Sequence, residues 1–375
     1  MRKRSFLRKF SLLAAGVFPL ASVCYANPTE VHATAGVKTA YDDNITYTST
    51  NRLSDFVTNL EAGLNILQQG PTHQLSIKTD VIEEIFAHHG GLDNTAEGLN
   101  LDFKQNLSKH DKIELTDVLN HSYSPTSFQE AFGRTNGYYG TLTNETGISY
   151  THDYSSQLSQ EAHFNDTISQ ASKHGFVDSV LYQGGTKLSY SMDSADIFSQ
   201  SYDYTQRDFR NGPNASINSL VTGYRRYFTP QFYADLGVGP DFIHSFQGKD
   251  NIKPHFLAAL TDDANANTKV SLTFEKHETT GIYTENLFDS WQVALNLNQQ
   301  LTQRLSAYMS AFYGEGRYDA IDVHTKFAGV QTQLNFAINK RTTLALGYSF
   351  SDSQSNSSSF SYKKNYVFLS VNVTF

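Results

Sequence analysis

Few residues in this chain have the types and spacing that catalysis needs. His277-Glu278-Thr279-Thr280-Gly281 begins like the helical zinc-protease motif, but the second histidine one turn on is missing and the surroundings read as a loop. No Gly-x-Ser-x-Gly nucleophile elbow and no phosphate-binding Gly-rich loop occurs. His88, His89, His121 and His163 could join a serine or an aspartate near a barrel rim, the arrangement a membrane-embedded hydrolase would use. Asp42-Asp43-Asn44 offers oxygen ligands of the kind calcium takes; the same cluster is a common turn opener. The single cysteine, Cys24, lies in an N-terminal leader, so the mature chain has no thiolate chemistry and no disulfide framework. The expectation is a protein that is not an enzyme and has no cofactor or metal.

The elements that hold these residues alternate with period two. Phe375, Val373, Val371, Leu369 and Val367 are apolar, and Thr374, Asn372, Ser370 and Phe368 lie between them. This is a strand with one oily and one wetter face, running to the terminal residue. Closure into a barrel is what gives such a last strand a partner. Tyr366, Leu369, Val371, Val373 and Phe375 therefore form the expected assembly signal, read by barrel-insertion machinery. Similar alternation marks Leu75-Ile77-Thr79-Val81, Leu99-Leu101-Phe103, Trp291-Val293-Leu295-Leu297, Leu305-Ala307-Met309-Ala311 and Val330-Thr332-Leu334-Phe336.

The connections sort into two kinds. Short turns fall at 68–73, 108–111, 152–156, 193–196, 229–230, 262–267, 302–304 and 339–342. Longer polar segments alternate with them at 42–53, 87–94, 124–135, 169–175, 208–213, 247–252, 277–286, 314–324 and 351–361. Short turns on one rim and longer loops on the other describe an outer-membrane barrel with periplasmic turns. The fold class is all-β, a transmembrane antiparallel up-and-down β-barrel of about 18 strands, preceded by a cleaved signal peptide. Two stretches fit less well. Asp117 falls on the face that Ile113 and Leu115 assign to lipid, which calls for a bulge or an early strand end. Within 231–276, Gly237, Gly239 and Pro240 interrupt the alternation, and one hairpin fewer would give about 16 strands.

Composition agrees with this class. The 375-residue chain carries a net charge of −8, which argues against nucleic acid as a partner. Its mean hydropathy is −0.43, and only alternate residues of a barrel strand need be apolar. Tyr 22 and Phe 26 suit the aromatic girdles of a membrane barrel. At the N-terminus Arg2, Lys3, Arg4, Arg8 and Lys9 precede an apolar run over 10–23, and cleavage is expected after Ala26. The domains are then a signal peptide, 1–26, and a single barrel, 27–375, in a bacterial outer membrane. Lipid and lipopolysaccharide would be its surroundings, with Arg225-Arg226 and Lys363-Lys364 meeting lipopolysaccharide phosphates or solvent.

If the apolar set faces lipid, the opposite set lines the lumen. Its candidates are Lys78, Asp80, Asp102, Lys104, Glu114, Glu161, Arg225, Asn296, Tyr308 and Gln333. Amides and hydroxyls both donate and accept hydrogen bonds, and tyrosine faces can stack on sugar rings. Such a wall suits neutral or weakly charged hydrophilic solutes; any water-filled barrel also needs a polar interior. No ladder of one charge sign is present to act as an ion filter.

The stretch Gly36-Val37-Lys38-Thr39-Ala40-Tyr41-Asp42-Asp43-Asn44-Ile45, with Ser54-Asp55-Phe56-Val57 and Leu60-Glu61-Ala62-Gly63-Leu64, resembles the start of the putative β-barrel porin 2 family. Phe132-Gly133-Arg134-Thr135 is a further echo. The resemblance implies a single barrel acting as a conduit or accessory for polysaccharide passage, with a periplasmic export partner and no catalytic residues. Several polysaccharide exporters carry a helical periplasmic scaffold before the barrel; here the first strand is expected within a few residues of the cleavage site. The readings are a passive channel serving exopolysaccharide export, a general or sugar-selective diffusion porin, and a structural or surface-interaction barrel with a blocked lumen.

Overall fold

The computed structural model describes residues 28–123, 137–210, 212–265, 267–282, 285–318 and 320–375. The leader and the loop at 124–135, with its Phe132 to Thr135 echo, lie outside the described residues.

Among the described residues, alternation along the chain becomes eighteen antiparallel strands in one sheet. In order they are β1 (Thr29–Asp42), β2 (Asp55–Gln69), β3 (His73–Phe86), β4 (Asn94–Asn106), β5 (Asp111–Ser122) and β6 (Thr141–Asp153). Next come β7 (Leu158–Ala171), β8 (Ser179–Ser191), β9 (Asp196–Phe209), β10 (Asn214–Tyr227), β11 (Phe232–His244) and β12 (Asp250–Asn265). The last six are β13 (Thr268–Thr280), β14 (Leu287–Gln300), β15 (Leu305–Tyr318), β16 (Val323–Ala337), β17 (Thr342–Ser355) and β18 (Tyr362–Thr374). Each pairs with its sequence neighbours, and β18 pairs with β1 from Thr34↔Thr374 to Asp42↔Tyr366, closing the barrel. The ladder ends on a bond from the Phe375 amide to the Ala33 carbonyl, 2.8 Å. Closure leaves no open edge, so the backbone polar groups are satisfied within the wall.

Two sequence expectations need correction, and the expected strand count holds over its alternative. The β5 register runs unbroken through Asp117 on both sides, so there is neither bulge nor early end. The carboxylate is held on its own face by Asn144 Nδ2 at 2.6 Å and Thr146 Oγ1 at 3.2 Å, which satisfies it in place. The 231–276 region keeps its hairpin, giving eighteen strands rather than sixteen. Gly239 is there because β10 comes close: a Cβ at that position would sit 1.8 Å from the Leu220 carbonyl oxygen. Several segments assigned to loops are strand. β13 runs to Thr280, β15 to Tyr318 and β17 to Ser355. Polar side chains do not end a ladder made of backbone bonds, so the strands continue past the apolar band.

Cross-barrel contacts identify the inner face. Arg207 on β9 donates to Thr280 on β13 at 2.8 Å, and Ser179 on β8 donates to the Ile282 carbonyl at 2.7 Å. Three strands separate β9 from β13, so only a path through the interior makes these bonds. Arg207 alternates with exposed Tyr202 and Tyr204, and the pairing register carries the two faces around the barrel. Val37, Leu60, Val81, Leu236, Leu346 and Leu369 then lie outward and exposed, as lipid contact requires.

Candidate functional site

The inward face is polar toward the short-turn rim and partly apolar toward the other. At the far rim, Phe312 on β15, Phe327 on β16 and Tyr362 on β18 form a buried cluster with Ala294 on β14 and with Tyr47, from the 43–54 segment. Phe312 and Phe327 stack at 4.9 Å, and Tyr47 meets Tyr362 edge-on at 5.1 Å. The segment therefore folds onto the inner wall. Ile45 packs with Val57 and Phe86, and the Gly137 amide bonds the Thr46 carbonyl at 2.7 Å, bringing the segment before β6 inward as well.

The sequence Tyr41-Asp42-Asp43-Asn44 explains that fold. Lys364 Nζ lies 2.6 Å from Asp42 and 3.9 Å from the Tyr47 ring centre. Asp43 accepts from the Asn365 backbone at 2.7 Å and its side-chain amide at 2.6 Å. Asn44 Nδ2 donates to the Thr48 and Lys363 carbonyls at 2.8 and 3.0 Å. These groups pin the first loop to β18, which is the turn-opening role of the cluster rather than the calcium one. Asp55 does the equivalent work at the start of β2, accepting from the backbone amides of Phe56, His88 and His89. Its oxygens also lie 2.8 Å from both Nδ1 atoms of His88 and His89.

A second inward element comes from β13 and β14. β13 pairs with β12 only as far as Phe256↔Lys276, but with β14 up to Thr280↔Leu287. Above Lys276 the hairpin tip leaves the wall and crosses the interior. Glu278, fully buried, pairs with Lys253 at 2.7 Å, and Asp289 meets the same ammonium at 3.3 Å. The Glu278 amide faces Asp241 at 3.5 Å, while His255 lies 3.1 Å from that carboxylate and stacks on His277. Leu287 enters an apolar cluster with Phe209, Ile217, Ile243 and Phe246. The zinc-like His277-Glu278 pair is thus a structural clamp, and no group of three or more His, Cys, Asp or Glu among the described residues is arranged to hold a metal.

Below these elements lie the lining candidates. By register, Lys78 and Asp80 face inward on β3, Asp102 and Lys104 on β4, Glu114 on β5 and Glu161 on β7. Lys104 stands 3.0 Å from Glu114 and 3.4 Å from Asp102. Glu161 is opposite Lys187 on β8. Arg225, on β10, grips Asp235 at 2.6 and 3.1 Å, and Arg226 on the outer face pairs with Asp196 at 3.1 Å. With Lys364 on Asp42, three of the four basic groups expected at phosphates or solvent hold carboxylates instead. Asn296, Tyr308 and Gln333 are brought close together on β14, β15 and β16. Ser310 donates to Asn296 at 2.9 Å and Gln333 to Asn335 at 2.6 Å. A cleft of about 590 Å³ opens beside Tyr308 at the short-turn rim.

The histidines considered for hydrolysis are engaged elsewhere. His163 lies 3.0 Å from Asp203, and His121 packs against Tyr123 opposite Glu97. Sequence reasoning missed Lys253, Asp241, Asp289, Arg207 and Tyr47. Each looks like an ordinary wall or loop residue until the tip and the first loop fold inward.

Residues 254–375 match the family described as Putative beta-barrel porin 2. The match covers the C-terminal strands, whereas the motif that first suggested the family lies near the N-terminus. No curated protein matches the sequence. Among solved structures, the siderophore receptor PirA from Acinetobacter baumannii superposes with a TM-score of 0.51 at 7% identity, over 92% of this chain and 80% of that one. OccK3 (OpdO) from Pseudomonas aeruginosa gives 0.50 at 12% identity, over 92% and 96%. At these identities the likeness is one of fold, a closed antiparallel β-barrel.

Proposed function

We propose that this barrel is a passive outer-membrane channel for neutral or weakly charged hydrophilic solutes, serving passage of exopolysaccharide. One observation carries the reading: a closed eighteen-stranded wall with a polar inward face on which acidic and basic groups are interspersed, as at Lys104, Glu114 and Asp102. A barrel of that strand number is wide enough for an aqueous passage, and mixed charge excludes neither ion sign strongly. Lys78, Asp80, Asp102, Lys104, Glu114, Glu161, Arg225, Asn296, Tyr308 and Gln333 are the side chains the solute would meet. The chain is exported by a leader cleaved after Ala26 and inserted through its last strand into lipid and lipopolysaccharide. A periplasmic export partner would deliver the polysaccharide.

The inward-folded β13–β14 tip favours a second reading, a barrel whose lumen is closed and whose role is structural. Liposome swelling separates the two. Proteoliposomes should swell in neutral mono- and oligosaccharides at rates that fall with solute size. Folded protein that leaves swelling at the empty-liposome rate for every solute would favour the closed barrel.

A further inference from the structure

The inner wall has two chemically different parts. Every strand from β1 to β13 carries at least one charged inward side chain, including Lys38, Glu61, Glu145, Lys187, Asp203 and Glu275. On the next five strands, β14 to β18, the inward positions are Asn, Gln, Ser, Thr, Tyr, Phe and small residues. Two charges lie toward the far rim, Lys364, neutralised by Asp42, and Asp289 on the inward-folded tip, paired with Lys253. Charged residues make up 18% of the chain, so a run of five adjacent strands would ordinarily include several. The depletion is local and one-sided.

This uncharged sector begins in the cleft at the short-turn rim. Asn298, Gln300, Ser306, Tyr308 and Asn335 line it, and its volume of about 590 Å³ is in the range of small-ligand sites. The Asp263–Lys269 pair at its edge is internally neutral, with 3.2 Å between the charges. Among the described residues the Tyr308 hydroxyl, the Asn298 amide and the Ser306 hydroxyl have no hydrogen-bond partner, while Asn296 and Gln333 beside them are engaged. Unengaged groups that both donate and accept, next to an aromatic face, suit a ligand with many hydroxyls and apolar ring faces. An ionic ligand would find the few charges of this wall already paired and many more on the opposite one.

We infer that the inward face of β14–β18, starting at the Tyr308 cleft, is a binding track for a neutral glycan chain that enters at the short-turn rim. It deepens the channel reading by assigning the solute class and the half of the wall that holds it. Isothermal titration of the refolded, detergent-solubilised barrel with maltohexaose tests it, with an oligogalacturonate of the same length as the charged probe. Maltohexaose should bind with little change between low and high salt, and the oligogalacturonate should bind more weakly. Tyr308→Ala and Asn298→Ala should each weaken maltohexaose by about tenfold. Tyr308→Phe should lose less, and Lys187→Met, on the charged wall, should lose nothing. Heat-modifiable migration on gels verifies that each variant is folded. Absence of neutral-glycan binding, equal loss in Lys187→Met, or preference for the uronate would overturn the track. Binding by a barrel that does not conduct would keep the track and defeat the channel reading; conduction without binding would do the reverse.

Discussion

Replacing Lys253 with alanine should undock the β13–β14 tip. Lys253 sits between Glu278 and Asp289 at 2.7 and 3.3 Å, and the Glu278 side chain is 0% exposed. Its removal leaves a carboxylate buried without a counter-charge, a change that costs roughly 3–5 kcal/mol in protein interiors. Global unfolding is not the cheapest response. The tip is unpaired from β12 above Lys276, and its remaining attachments on that side are side-chain bonds such as Arg207 to Thr280. Release of the tip into water rehydrates Glu278, and the docked-to-undocked ratio should fall on the order of 10²–10⁴-fold. Single-channel recording should show longer or larger openings. A cysteine placed at Leu287, which is buried in the apolar cluster while the tip is docked, should become reactive to an impermeant maleimide on intact cells. Replacing both partners, Lys253→Met with Glu278→Leu, removes the stranded charge and should restore the wild-type pattern. A folded Lys253→Ala barrel with wild-type openings and an unreactive residue 287 would refute the reasoning.

Deletion of Phe375, or its replacement by a charged residue, should lower the yield of heat-modifiable barrel, because the ladder closes at its bond to Ala33; normal yield would contradict this. N-terminal sequencing or intact mass should find the mature protein beginning at Asn27 without lipid, and a diacylated Cys24 would overturn the leader assignment. Cysteines introduced at residues 50, 130 and 320 should label from outside intact cells and one at 340 should not; the opposite pattern would invert the topology.

The fold was readable from the sequence because a barrel repeats one physical rule at every strand. Alternation separates the faces, and the sorting of short turns from longer loops identifies the rims. What alternation could not supply is where strands end. β13, β15 and β17 run into segments whose polarity suggested loops, since backbone pairing outlasts the apolar band. Asp117 misled for a related reason: its cross-strand partners Asn144 and Thr146 are 27 and 29 residues away and cannot be assigned before the register is known. The inward positions of Tyr308, Asn296 and Gln333 follow from parity alone. The inward fold of the β13–β14 tip does not, because it depends on Lys253, Arg207 and Asp241 from strands whose local sequence gives no sign of a partner. Tyr41-Asp42-Asp43-Asn44 lies between these cases: the cluster was visible, while its target, Lys363 to Asn365 on the last strand, needed the closed barrel.

Planar-bilayer recording of the purified wild-type barrel tests the central claim most directly. The expected result is stepwise, ohmic current with weak selectivity between cations and anions, as a wide lumen with interspersed charges requires. Neutral oligosaccharides should interrupt that current from the short-turn side, and simple salts should not. A correctly folded barrel that passes no current, either as wild type or with the β13–β14 tip released by Lys253→Ala, would contradict the channel account and leave a structural barrel in its place.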